Sequence, residues 1–160
     1  MVQTRKNIPK ADSLMGSMRS IGYTFESAIA DIIDNSISAH AKNIQLSFPT
    51  EASICFVSIM DDGVGLTEDE LFNAMRYGST ACEETRSDDD LGRFGLGLKA
   101  ASLSQCRILS VVSKKDGRTT AFQWNYNHIL MSGEWDLIIL PEKEQRSLPN
   151  YDVFNNQANG

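Results

Sequence analysis

Ala30-Asp31-Ile32-Ile33-Asp34-Asn35-Ser36-Ile37-Ser38-Ala39 is the stretch on which the reading of this chain turns. It lies inside a longer run, residues 24 to 39, whose apolar positions Phe25, Ala28, Ile29, Ile32, Ile33 and Ile37 recur three and four residues apart. That period predicts an amphipathic helix, with Thr24 placed to cap its N-terminus. Asp31 and Asn35 are one turn apart, so the helix shows a carboxylate and an amide on one face. Taken alone, this is a helix with a wet face. It also has a chemical use: the Asn35 oxygen suits a hard cation such as magnesium. The Asp31 carboxylate suits orienting or deprotonating a water that attacks a γ-phosphate.

Two further segments follow in order. Asp61-Asp62-Gly63-Val64-Gly65 closes an apolar run. A strand ending in Asp61 and turning at Gly63 and Gly65 leaves a carboxylate fixed at its end. Such a carboxylate can accept a hydrogen bond from an exocyclic amine, as adenine carries, and bare glycines let a flat base approach. An Asp-Gly turn in a hairpin accounts equally for the segment by itself. Gly92-Arg93-Phe94-Gly95-Leu96-Gly97 opens a second helical stretch, residues 95 to 105. Its glycines let backbone amides face an anion at a helix N-terminus. Lys99, in the first turn, opposes the helix dipole, and a phosphate would explain its place; a hinge is the alternative for the glycines. The spacing Gly-x-x-Gly-x-Gly is neither the dinucleotide fingerprint nor a P-loop.

Around these segments the element order is legible. Residues 43 to 48 alternate, with Ile44, Leu46 and Phe48 on one side, and predict a strand with one wet face. Residues 54 to 60 predict a second, more buried strand, paired with the first as an antiparallel hairpin. Thr67 to Glu70 is a capping-box pattern ahead of a short helix bearing Leu71, Ala74 and Met75. Residues 76 to 91 are polar or small and predict a long loop of the kind that serves as a lid. Residues 107 to 113 and 118 to 125 predict two strands joined by a tight turn at Asp116-Gly117. Glu134 to Leu140 predicts one more strand, and the polar chain beyond Pro141 has no period. The expected fold is an α/β two-layer sandwich, a mixed and mainly antiparallel sheet with helices on one face.

Composition narrows the class. The chain has 160 residues, 41% hydrophobic and 22% charged, which fits one globular domain. No apolar run reaches membrane-spanning length, and no apolar core follows the basic N-terminal residues as a secretory signal requires. A cytoplasmic location is expected. Cys55, Cys82 and Cys106 have no zinc spacing. His40 and His128 are far apart and read as structural. A net charge of −6 gives no general nucleic-acid-binding surface.

The three segments, in this order and with a polar lid between the second and third, resemble the GHKL ATPases. These include gyrase B subunits, ninety-kilodalton heat-shock chaperones, sensor histidine kinases, MutL and the MORC proteins. The resemblance covers about residues 22 to 125. Ala30 to Ala39 looks like the family's N box. Asp61 to Gly65 looks like its first glycine box, and Leu91 to Lys99 like its second, closest in flavour to MORC and bacterial relatives.

The resemblance implies ATP and Mg2+ as ligands. Asp61 would hold the adenine amine, with Gly63 in the same turn and Gly65 against the base. Ala39 would line the adenine pocket, and Asn35 would coordinate the magnesium ion that bridges the phosphates. Gly92, Gly95, Leu96 and Gly97 would give backbone amides to the phosphates, with Arg93, Phe94 and Lys99 in the same box. Residues 76 to 91 would be the ATP lid, with Ser79 and Thr80 near the nucleotide. Asp31 stands where gyrase and MutL carry a glutamate, so the implied catalytic carboxylate is one methylene shorter.

The family's late Gly-Thr pair has no adjacent match, unless Gly160 is its glycine. The expectation is an N-terminal ATP-binding module, residues 1 to 160, of a longer protein whose transducer domain lies elsewhere. It would act as an ATPase switch, weak in isolation, with ATP-dependent homodimerisation. The alternatives are a non-catalytic nucleotide-gated interaction module and a histidine kinase catalytic domain. No histidine precedes Thr24 to serve the latter.

Overall fold

The computed structural model describes residues 3–5, 7–20, 22–51, 55–77 and 97–160. Ser79, Thr80, Gly92, Arg93, Phe94, Gly95 and Leu96, with most of the expected lid, lie outside the described residues.

Helix α1 (Ala11–Arg19) comes first, then α2 (Phe25–Ser38). The Thr24 side chain caps α2 by accepting from the Ser27 amide at 3.2 Å, as the sequence predicts. Strands β1 (Ile44–Ser47) and β2 (Ser58–Asp61) form the expected antiparallel hairpin, with Ile44 opposite Asp61 and Ser47 opposite Ser58. The apolar side of β1 is less covered than its alternation predicts: Leu46 and Phe48 stay exposed, although Phe48 meets the Phe25 ring at 6.5 Å. The capping box at Thr67 and Glu70 forms and starts α3 (Glu68–Met75), which buries Leu71 and Met75.

After a π-helical turn, Gly97–Ala101, comes α4 (Ser102–Gln105). Strands β3 (Ile108–Lys115) and β4 (Arg118–Asn125) pair antiparallel along their whole length. Asp116 and Gly117 have φ of 52° and 75°, the doubly left-handed turn that matches strand twist. Helix α5 (Tyr126–Ser132) follows directly, capped by the Asn125 side chain and ended by left-handed Gly133.

The expected strand from Glu134 to Leu140 shrinks to β5 (Ile138–Ile139), antiparallel to β4. Trp135 leaves the ladder to pack its ring against Tyr77 and Trp124, with centroids 5.4 and 6.1 Å away. Two short helices, α6 (Glu142–Gln145) and α7 (Tyr151–Asn155), replace the expected aperiodic tail.

The main core lies between the helices and one face of β3–β4. Ala11, Met15, Leu71, Met75, Leu103 and Ile129 pack there on Phe122 and Trp124. Val112 projects from β3 on the opposite side from Val111, and there Tyr151 and Phe154 of α7 join Met60 in a smaller core. The architecture is the α/β fold expected, with its paired strands antiparallel.

The two sheets meet at Gly160. Its amide and carbonyl exchange hydrogen bonds with Lys114 at 3.1 and 2.7 Å, and a Cβ on it would come 2.3 Å from the Asp61 carbonyl.

Candidate functional site

The end of β2 delivers Asp61 to the side of α2. Ser36, buried on α2, donates from Oγ to Asp61 Oδ2 at 2.7 Å. The Gly63 amide donates to Asp61 Oδ1 at 2.9 Å. An ionised carboxylate is acceptor-only with about four lone-pair sites. One donor on each oxygen therefore fixes the group in orientation and leaves it acceptor capacity for a ligand amine.

The turn after Asp61 is held from below. The Val64 amide donates to the Ala39 carbonyl at 3.0 Å, which docks the turn onto the C-terminal end of α2. A Cβ on Gly63 would sit 2.8 Å from both Ala39 Cβ and Ala39 O. Gly65 has φ of 66°, and a Cβ there would lie 2.1 Å from the Lys114 carbonyl. Both glycines are thus demanded by the protein's own backbone packing, a reason the sequence reading did not contain. The structure brings Asp61, Gly63 and Ala39 together, with Gly65 at the β3 side of the same turn. Asp62, beside them, belongs to the scaffold. It accepts from the Lys42 and Asn43 amides at 2.7 and 2.8 Å and from the Asn43 side chain at 2.7 Å. The Asn43 side chain first, then those amides, holds its carboxyl below the usual range.

On α2, Asn35 precedes Ser36, and its Nδ2 is buried without a hydrogen-bond partner among the described residues. A buried amide end left unmatched is costly unless something else meets it. Asp31, one turn earlier, is half-buried. The Tyr23 phenol beside it is pushed up, first by its hydrogen bond with the Asp31 carboxylate, then by burial, then by that carboxylate's charge. Among the described residues no group of three or more His, Cys, Asp or Glu gathers as a metal site. Asn35 carries a side-chain oxygen of the kind that could hold a hard cation such as magnesium.

Lys99 corrects the sequence reading. Its side chain does not turn to an anion but is buried at 1% exposure, where Nζ donates to the Ala74 and Arg76 carbonyls at 2.7 and 2.8 Å. Opposition to its own helix's dipole is offset because it sits at the negative end of another helix, α3. Gly97 is the one glycine of the second box within the described residues, and it opens the π-helical turn.

Sequence reasoning missed Ser36 and Tyr23. Ser36 carried a signal: it lies four residues after Ile32 and eight after Ala28, so a hydroxyl stands on the apolar stripe of α2. Tyr23 precedes the helix cap and carried none.

A strand-end carboxylate oriented by a helix serine thus stands beside a glycine turn. The family of histidine kinase-, DNA gyrase B- and HSP90-like ATPases matches residues 23–160, and the chain belongs to it. Among curated relatives, the ATPase morc-1 of Caenorhabditis elegans is 32% identical over 119 residues, 72% of this chain and 14% of that protein. The ATPase MORC2B of Mus musculus is 28% identical over 95 residues, 56% of this chain and 9% of that protein. The DNA mismatch repair protein MutL of Buchnera aphidicola subsp. Schizaphis graminum is 31% identical over 102 residues, 61% of this chain and 17% of that protein. The chain therefore spans a small part of the length of these relatives. No helix among the described residues is long and apolar enough to cross a membrane.

Proposed function

We propose that this domain binds ATP with magnesium, hydrolyses it slowly, and uses the bound state as a conformational switch. The observation that carries the reading is the Asp61 carboxylate, held by Ser36 and the Gly63 amide with acceptor capacity to spare. Asp61 accepts from the adenine amine. Ala39 and the Gly63–Gly65 turn form the floor under the base. Asn35 offers its side-chain oxygen to the ion. Bound magnesium supplies charge neutralisation on the phosphates.

Asp31 is the group for water activation, one turn before Asn35 on α2. Gly92 to Gly97 give amides to the phosphates, with Ser79 and Thr80 in the lid that covers them. Nucleotide-dependent pairing of two copies completes the switch.

Calorimetric titration with magnesium-ATP, and phosphate release from wild type and Asp31→Asn, test this reading. The expected result is saturable binding by both proteins, with turnover lowered by about 100-fold or more in the variant, the scale of a lost general base. Absence of binding at millimolar ATP overturns the reading. Equal turnover in the two proteins removes Asp31 from the chemistry. Binding without any turnover in the unmodified full-length protein selects the non-catalytic, nucleotide-gated module instead.

A further inference from the structure

We propose that Lys99 is a positioning residue of the nucleotide site: its ammonium holds the turn Gly97–Ala101 against the C-terminal end of α3, and nucleotide binding depends on that hold without Lys99 touching the nucleotide. The inference rests on the nucleotide-binding reading and adds a residue that acts on the site from behind.

Side chains from elsewhere take three carbonyls at the end of α3. The last carbonyls of a helix have no intrahelical amide to bind. Here Lys99 Nζ takes those of Ala74 and Arg76, and Trp124 Nε1 takes that of Met75 at 2.9 Å. The Tyr77 ring lies 5.9 Å from the ammonium and adds a cation–π contact. Lys99 thus ties two segments far apart in sequence through its side chain.

Its position in the turn matters. Gly97–Ala101 is π-helical, a rare geometry that recurs as single turns at functional sites. Helix α2, which carries Asp31 and Asn35, packs against this same turn. One buried side chain therefore sets the distance between the α3 end and the turn on which α2 rests.

A purely structural need would be met more cheaply. Burying an ammonium costs hydration energy even when its hydrogen bonds are made, and an apolar side chain of similar volume avoids that cost. Burial pushes the Lys99 amine down to about 8, the expected direction for a cation carried at a cost.

The test compares wild type with Lys99→Met and Lys99→Arg in calorimetric titrations with magnesium-ADP and magnesium-ATP, below the onset of unfolding of each protein. Lys99→Met is expected to weaken ADP and ATP equally, by about tenfold or more, within the range of measured site couplings. Lys99→Arg, which keeps the cation and its donors, is expected to recover part of the loss. Unchanged affinity in folded Lys99→Met overturns the proposal and leaves Lys99 a stability residue. A loss confined to ATP overturns it in favour of a direct γ-phosphate contact. If wild type binds neither nucleotide, the reading of the site fails first and the proposal with it.

A second measurement needs no variant. Because coupling is reciprocal, ADP must slow amide hydrogen exchange at Arg76 and Tyr77 as well as at Ala100 to Ser102. Exchange at Arg76 and Tyr77 that ADP does not change overturns the proposal even where Lys99→Met fails to fold.

Discussion

At the scale of single residues, the site is an exercise in orienting one carboxylate. Asp61 has one fixed donor on each oxygen, Ser36 Oγ and the Gly63 amide. Removing the serine hydroxyl leaves Oδ2 short of a partner in a half-buried place. Ser36→Ala is expected to cost about 1 kcal/mol of folding stability, the usual net value of one hydrogen bond, more if no water enters. A urea denaturation midpoint checks it, and an unchanged midpoint would mean that the Ser36–Asp61 bond does not bear on the fold.

The polar residues of the candidate site are legible in the sequence, because a carboxylate at a strand end and polar groups on one helix face announce themselves. Asp31, Asn35 and Asp61 were all read that way. Ser36 was not, since a serine inside a helix is unremarkable until its position on the apolar stripe is noticed. Lys99 has neighbours that its motif does not announce. Its partners are carbonyls of α3, more than twenty residues away in the chain, and backbone acceptors leave no mark in a sequence.

At the scale of elements, local chemistry was a reliable guide where caps and turns are side-chain events. The Thr24 cap, the Thr67–Glu70 box and the Asp116-Gly117 turn all form as read. Helix α1 escaped because Gly16 and two serines dilute its period. A Cβ on its Gly16 would come 3.1 Å from the Tyr126 hydroxyl, a tight contact that a small shift of that side chain would relieve. Helix α7 escaped because two aromatic anchors, Tyr151 and Phe154, suffice to seat five residues, and tertiary burial of so short a helix has no periodic signature.

The capping box carries a pH prediction. Glu70 accepts from the Thr67 amide and hydroxyl and pairs with Lys115 at 2.8 Å. Lys115 first, then Thr67, holds its carboxyl down to about 2 from an ordinary 4.5. Between those values the unfolded chain binds a proton that the folded chain does not, so stability falls as pH falls through the window. Above the ordinary value the contribution is fully present. Thermal melts across that window are expected to show a smaller pH dependence in Glu70→Gln than in wild type. Equal slopes would show that the box does not hold Glu70 ionised.

At the scale of the whole molecule, the site lies on the seam between two antiparallel sheets. Gly65 closes on the Lys114 carbonyl from one side. Gly160 exchanges both backbone hydrogen bonds with Lys114, and Ser113 Oγ donates to the Gly160 carbonyl at 3.0 Å. Lys114 Nζ also takes the carbonyls of Asn155 and Gln157 at 2.7 and 2.8 Å, which ties α7 to the same seam. A carboxylate at a seam is backed by α2, the β1–β2 hairpin and the β3–β4 hairpin at once. That convergence is why the segment order in the sequence carries information that no single segment holds.

The central claim is that Asp61 reads the adenine amine. It is tested most directly by titrating wild type and Asp61→Asn with magnesium-ATP and magnesium-GTP. Adenine presents an amine at its sixth position where guanine presents a carbonyl, so wild type is expected to prefer ATP. Asp61→Asn is expected to lose ATP affinity by about 10- to 100-fold, the value of one hydrogen bond to a charged group, while its weak GTP binding changes little. Asp61→Asn that stays folded and binds ATP as tightly as wild type would contradict the account.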